Sequence, residues 1–225
     1  MISLRALGIT HDYEGNLTSS TLRCLTGGPE EAWPFADDAR GVVYKLFYLR
    51  DSGGLGKKIL LEFGGGFDAD LRMLDANLFE TLEKLAVLHE AGAHPTEIVG
   101  LADTGDYLIV KQPLAQPHGP DLDADRQIAV EVMKALPVRG GLRGDLRVFW
   151  VSGKAWLLGD LHQGNIMRGA DGQPTVIDAL IGSIPNTALA GLAQLDKAVR
   201  EAREMREGLR TRPSDFMDGV NDDDL

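Results

Sequence analysis

Short alternating apolar runs fill the first part of the chain and helical spacing takes over in between, so the pattern predicts a strand-rich protein with few helices. Residues 21–25 read as a strand closed by Gly27-Gly28-Pro29, Trp33-Pro34-Phe35 as a second, and Asp37-Asp38-Ala39-Arg40 as a turn. Residues 41–49, rich in Val, Tyr and Phe, make a third strand. The glycine-rich stretch 51–67, around Lys57-Lys58-Ile59-Leu60-Leu61-Glu62-Phe63, reads as a loop holding a strand or short helix. A helix is expected over 71–90, capped by Asp68 or Asp70, with Leu71, Leu74, Leu78, Leu82, Leu85 and Leu88 as its apolar stripe. Gly92 and Pro95 end it. Two strands follow, 98–101 and 107–110, about a Thr104-Gly105-Asp106 turn, and residues 111–115 lead out of the sheet. A proline-punctuated linker, 117–120, precedes a helix that starts at Asp121 or Asp123 and reaches Leu136, with Ile128, Val132 and Leu136 on one stripe. Residues 147–151 and 155–158 form a hairpin about Ser152-Gly153-Lys154, and 166–168 and 174–177 form another about Gly169-Ala170-Asp171-Gly172. A long helix over 187–209 ends at Arg212-Pro213, before an acidic tail expected to be disordered.

Composition narrows the function classes. At 225 residues with 44% apolar content the chain can bury the core of one domain or of two small lobes. A formal net charge of −11 argues against general affinity for nucleic acid or an anionic membrane, neither of which would meet a basic face. Cys24 is the only cysteine, which excludes an intramolecular disulfide and leads us to expect a reducing, cytoplasmic setting, with Cys24 a small strand residue. No run is long and apolar enough to suggest a signal peptide or a membrane span.

The candidate chemistry concentrates in Gly159-Asp160-Leu161-His162-Gln163-Gly164-Asn165-Ile166, followed by Thr175-Val176-Ile177-Asp178. Phosphoryl transfer from ATP needs a carboxylate at the acceptor hydroxyl and oxygen ligands that hold magnesium against the phosphates. The spacing Asp-x-x-x-x-Asn, with a second Asp at the exit of a short hairpin, delivers those groups from two neighbouring loops. His162 could touch phosphate, orient Asp160 or simply hold its own turn. Upstream, Lys45 sits in the otherwise apolar run Val42-Val43-Tyr44-Lys45-Leu46-Phe47. Burying an ammonium there is costly unless it is paired, so the position needs a reason. Alternation would put Val43, Lys45 and Phe47 on one face.

These pieces, in this order, resemble the kinase-like fold. The loop resembles that of aminoglycoside and choline phosphotransferases more than that of ordinary protein kinases. Val43-Tyr44-Lys45-Leu46, Asn77-Leu78-Phe79, Gln112-Pro113 and Asp160-Leu161-His162-Gln163-Gly164-Asn165 resemble more closely the small Ser/Thr kinase-like domain of polyvalent proteins in phages and mobile elements. The resemblance implies an α+β, bilobal fold: an antiparallel small lobe over 1–115, a reduced C-terminal lobe over 116–209 and the tail 210–225. It also implies ATP and magnesium as cofactors. Asp160 would orient the acceptor hydroxyl, Asn165 and Asp178 would bind the metal, and Lys45 would hold the phosphates, fixed by Glu80 or Glu83, with Glu62 an outsider. Val43 would line the adenine pocket, Gln112 and Leu114 would offer backbone donors at a hinge, and Gly27 and Gly28 would either approach the phosphates or only turn a hairpin. The chain departs from the pattern at Leu158, where relatives carry His, at Ala179-Leu180 in place of Phe-Gly, and in the short stretch after Asp178. The implied activity is transfer of phosphate to a hydroxyl, on a protein Ser or Thr or on the chain itself. A small-molecule kinase is the nearest alternative, with a cationic acceptor such as an aminoglycoside if the pocket beyond Asp160 is acidic. A nucleotide-binding pseudokinase that serves as an interaction module is the alternative from another class.

Overall fold

The computed structural model describes residues 1–25, 31–50, 55–63, 69–138 and 146–211. A short hairpin of β1 (Ile9–His11) and β2 (Leu17–Ser19) opens the chain, followed by β3 (Arg23–Cys24), β4 (Trp33–Asp37) and β5 (Val42–Tyr48). The turn before β5 is held by Asp37, whose carboxylate accepts the Arg40 N–H at 3.1 Å, and by Gly41 at φ 64°. A separate hairpin, β6 (Lys57–Phe63) and β7 (Ala69–Asp75), precedes helix α1 (Leu78–Ala91), and β8 (Glu97–Leu101) and β9 (Tyr107–Pro113) return to the first sheet. That sheet is antiparallel, in the order β3-β4-β5-β9-β8. Alternation in β5 sends Tyr44 and Leu46 into a cluster with Phe35, Ile109, Ile9 and Leu17. The other face carries Phe47, which packs with Val110, Leu108 and Leu85 beneath α1. Both faces are covered, which is why β5 reads as one apolar run.

The second half holds β10 (Gln116–Pro117), α2 (Leu122–Val132), β11 (Leu136–Pro137), β12 (Arg147–Val151) and β13 (Lys154–Gly159). A 3-10 turn then leads to β14 (Ile166–Arg168), β15 (Pro174–Val176), β16 (Leu180–Ser183), α3 (Asn186–Gly191) and α4 (Ala193–Arg206). Two antiparallel sheets result, β10-β14-β15 and β11-β12-β13-β16. One face of the four-stranded sheet, with Phe149 and Leu158, packs on Ala129, Val130 and Met133 of α2 and on Val87 and Leu88 of α1. Its other face, with Val148 and Leu157, packs on Leu195 and Val199 of α4 and on Ile59 and Leu61 of β6. The described residues therefore form a mixed α+β structure in which α1 and the β6–β7 hairpin join the first sheet to the second half. None of its helices is long and apolar enough to cross a membrane.

Several elements differ from the sequence pattern. Residues 69–75 are a strand, and α1 starts only at Leu78. Leu71 and Leu74 have helical spacing, but Arg72–Glu62 and Lys57–Asp75 ion pairs and a complete ladder hold β7 to β6. The cap is Asn77, whose side chain accepts the Glu80 N–H at 3.1 Å while Glu80 accepts the Asn77 N–H at 2.9 Å. Asp70 lies within β7, and Asp68 lies outside the described residues. Helix α2 ends at Val132, and Ile128 and Val132 are exposed. Its buried face is Asp125, Ala129, Val130 and Met133 instead, because Asp125 turns inward to a two-pronged pair with Arg168 at 2.9 and 2.6 Å. Residues 180–183 form β16 against β13, and the expected long helix is broken at Leu192, whose backbone is extended. The tail from residue 212 lies outside the described residues.

Candidate functional site

Strand β13 delivers Gly159 and then turns sharply, with Asp160 at φ 62°, a left-handed conformation that Asp tolerates better than most residues. Asn165 fixes that turn. Its side-chain amide donates to the Asp160 carbonyl at 2.8 Å and to the Asp160 carboxylate at 3.2 Å. The Asn165 N–H reaches the His162 carbonyl at 3.0 Å, and its carbonyl accepts the Ile177 N–H at 2.9 Å. From α2, Arg126 donates to the Leu161 carbonyl at 2.9 Å, while Leu161 is buried in the core. The loop is thus held through its backbone, and the Asp160 carboxylate is left 39% exposed. His162 accepts the Gly164 N–H on Nδ1 at 2.9 Å, which places the proton of the neutral ring on Nε2, 3.6 Å from Asp160. That separation is too long for a hydrogen bond, so His162 chiefly holds its own turn.

Asp178 follows β15 at φ 50° and forms an ion pair with Lys45, which is buried in β5. The Asp178 side chain remains 46% accessible. It lines a cleft, so solvent screens the pair. Burial pushes its pKa up, but the Lys45 charge and hydrogen bond outweigh that and hold it below the ordinary value, with Lys84 and His94 adding to the effect.

Beside this pair is a small cavity of about 20 Å³, room for roughly one water, lined by Thr81, Lys84, His94, Gln112 and Asp178 among others. Lys84 projects inward from α1 and bonds Glu31 at 3.1 Å. His94 is anchored by its N–H to the Val176 carbonyl at 3.0 Å and by Nε2 to the Pro113 carbonyl at 2.7 Å. Because a carbonyl can only accept, Nε2 carries the proton and Nδ1 presents a lone pair, buried and without a partner among the described residues. Burial lowers the His94 pKa, against the pull of the Pro113 carbonyl, and nearby Lys45 lowers it further. The imidazole is neutral.

The structure brings Lys45, Asp160, Asn165 and Asp178 to one place. Glu80 is not there: it closes the α1 capping box and bonds Lys58 at 2.5 Å. Glu83 faces Lys154 at 3.3 Å and Glu62 faces Arg72 at 2.8 Å, so none of the three candidate carboxylates reaches Lys45. Helix α1 turns Thr81, Lys84 and Leu88 inward and keeps its Glu residues outside. Val43 and Gln112 are buried opposite one another in the β5–β9 ladder, and the Gln112 side chain donates to Thr96 at 2.8 Å. The Leu114 N–H is taken by the Gly41 carbonyl at 2.8 Å, which corrects its expected role as a free hinge donor. Gly27 and Gly28 lie outside the described residues. Sequence reasoning missed Lys84, His94 and Glu31. Lys84 could have been found from the Thr81, Lys84, Leu88 spacing, whereas nothing local marks His94 or Glu31.

No group of three or more His, Cys, Asp or Glu residues able to hold a metal occurs among the described residues. Magnesium needs less from protein, since it keeps several waters and takes substrate phosphates beside one or two carboxylates. Asn165 spends its amide nitrogen on Asp160, so its side-chain oxygen, together with the Asp178 carboxylate, is what these residues have to offer a metal. That oxygen set fits a hard cation. No family model, curated protein or solved structure matches the chain.

Proposed function

We propose that the chain is an ATP- and magnesium-dependent phosphotransferase of bilobal, kinase-like fold that transfers the γ-phosphate to a hydroxyl, on a protein Ser or Thr or on the chain itself. One observation carries this reading: Lys45 of the first sheet pairs with Asp178 of the second half, while Asn165 ties the Asp160 turn to the backbone that leads to Asp178. The order β3-β4-β5-β9-β8, with Lys45 on the central strand β5 and α1 in the chain between β5 and β8, supports it. The small lobe would then be 1–115 and the second lobe 116–209.

In the reaction, Asp160 orients the acceptor hydroxyl and takes its proton as the oxygen bonds to the γ-phosphorus, while the bond from that phosphorus to the β,γ-bridging oxygen breaks and ADP leaves with the electron pair. Its carboxylate is exposed to substrate, and Asn165 keeps it aimed. Lys45 leaves Asp178 to neutralise phosphate oxygens. Asn165 and Asp178 would hold magnesium, which supplies charge neutralisation at the phosphates when bound.

A second reading is favoured by two observations: Lys45 has no carboxylate partner from α1, and the Leu114 N–H is already spent. Both suit a pseudokinase that serves as an interaction module. The test is transfer of label from ATP to the chain and to a lysate of its own cell, comparing wild type with Asp160→Asn. Removing the general base should cut transfer by about 10²–10⁴-fold and leave ATP binding nearly unchanged. Equal labelling by both proteins would exclude Asp160 as the base. Labelling by neither, with ATP bound, would favour the interaction module.

A further inference from the structure

Helix α1 aims a cation at the cleft where a carboxylate was expected. The Lys84 side chain is 9% exposed, and an ammonium that deep is costly unless anions surround it. Its three N–H groups meet one partner among the described residues, the Glu31 carboxylate at 3.1 Å. Glu31 is itself shared, since its other oxygen accepts the Lys57 N–H at 3.1 Å. Lys84 lines the same cavity as Asp178, and so does His94, whose buried Nδ1 has no partner among the described residues. Two buried amines, Lys45 and Lys84, each paired with one carboxylate, Asp178 and Glu31, therefore meet an unspent acceptor at this cavity.

We propose that Lys84 is a second phosphate-binding cation of this cleft, and that Glu31 holds its place until a polyphosphate displaces it. The inference rests on reading the cleft as a polyphosphate site. One anionic oxygen replaces another on the same ammonium, and Glu31 keeps its backbone bond to Lys57. A purely structural Lys84–Glu31 tie would explain the pair alone. It would not explain why α1 aims that ammonium into the cavity that Asp178 lines beside its pair with Lys45.

The test is calorimetric binding of tripolyphosphate, ATP with magnesium, and adenosine to the full chain as wild type, Lys84→Met, Lys84→Arg and Glu31→Gln. Lys84→Met should weaken tripolyphosphate by about 10- to 100-fold, the worth of one charge-assisted hydrogen bond, and leave adenosine unchanged. Lys84→Arg should stay within a few-fold of wild type, because the charge and donors remain. Glu31→Gln should bind tripolyphosphate about threefold tighter or more, having lost the competing anion. Folded Lys84→Met with wild-type affinity for tripolyphosphate would overturn the proposal. If that variant does not fold, Glu31→Gln decides, and unchanged or weaker binding overturns it. Lys84-dependent binding of tripolyphosphate without any binding of ATP would sustain this inference and sink the kinase reading. ATP binding indifferent to Lys84 would do the reverse, and wild type that binds no polyphosphate would end both.

Discussion

The wall of the cleft that carries Asp160, Asn165 and Asp178 is made from one stretch of chain, whereas the wall opposite draws Lys45, Lys84, His94 and Glu31 from four. The first wall is closed by backbone hydrogen bonds and two left-handed Asp residues, so its geometry is set locally. The second depends on tertiary packing: β5 brings Lys45, α1 brings Lys84, the turn after α1 brings His94, and the approach to β4 brings Glu31. What joins them is the Lys45–Asp178 ion pair and the His94 N–H on the Val176 carbonyl, while Lys84–Glu31 ties the second wall to itself. A wall of the first kind tolerates change elsewhere. A wall of the second kind can be taken apart by a substitution far from the chemistry.

The most disruptive such change is Gly182→Ala. A Cβ built at Gly182 would stand 2.1 Å from the Ile59 carbonyl oxygen, a backbone atom that cannot step aside. Overpacking of this kind costs about 1–3 kcal/mol. Because β6 leads through its hairpin to α1, the change should weaken polyphosphate binding as well as lower the melting temperature. A drop in melting temperature with binding unaltered would mean that the hairpin does not position the second wall.

Glu80→Ala is expected to be milder. Loss of the capping box should cost about 1 kcal/mol in denaturant titration. Affinity for ATP should not change, because Glu80 faces Asn77 and Lys58 and not Lys45. A large loss of affinity in the folded variant would mean that α1 rotates on binding to bring Glu80 inward.

The smallest effect is a pH dependence beneath the first wall. Asp125 is held below the ordinary carboxyl pKa by its hydrogen bonds to Arg168 and to the Gly119 N–H, against burial. Its carboxyl titrates near ~3.9 in an unfolded chain. On acidification the unfolded state therefore takes up the proton first, so this stabilisation is present above about pH 4 and lost as the pH falls through the lower folded value. Asp125→Asn should flatten the acid limb of a plot of melting temperature against pH and lower the melting temperature at neutrality. An acid limb identical to wild type would place the acid sensitivity elsewhere.

The same difference between the walls explains what was legible in the sequence. Asp160, Asn165 and Asp178 could be read as a unit because the turns that assemble them are encoded within a few residues, by Gly159, Gly164 and the Gly169-Ala170-Asp171-Gly172 loop. The strands around Lys45 were legible for a similar reason, since hairpin turns and alternation are local. The helix boundary was not, because Leu71 and Leu74 fit a helix as well as a strand until β6 is seen to pair with them. The Asn77-Leu78-Phe79-Glu80 capping signal was present and is the cue that places the start of α1 correctly. Partner choice was least legible. Which carboxylate meets Lys45, or whether α1 turns a Glu or a Lys inward, depends on a rotation of the helix set by Thr81, Leu85 and Leu88 packing. Asp125 misled in the same way, since a buried Asp hides the inward face of α2 from any hydrophobic count.

The central claim is that the two walls close on ATP and magnesium, and thermal unfolding with and without both ligands tests it most directly. A ligand that binds only the folded state stabilises it by mass action, by about 2.7 kcal/mol at a hundredfold excess over its dissociation constant. Wild type should therefore melt higher with millimolar ATP and magnesium than with either alone, and Asp178→Ala should lose most of the magnesium-dependent part. A well-folded wild type whose melting temperature does not move with ATP and magnesium would contradict the account.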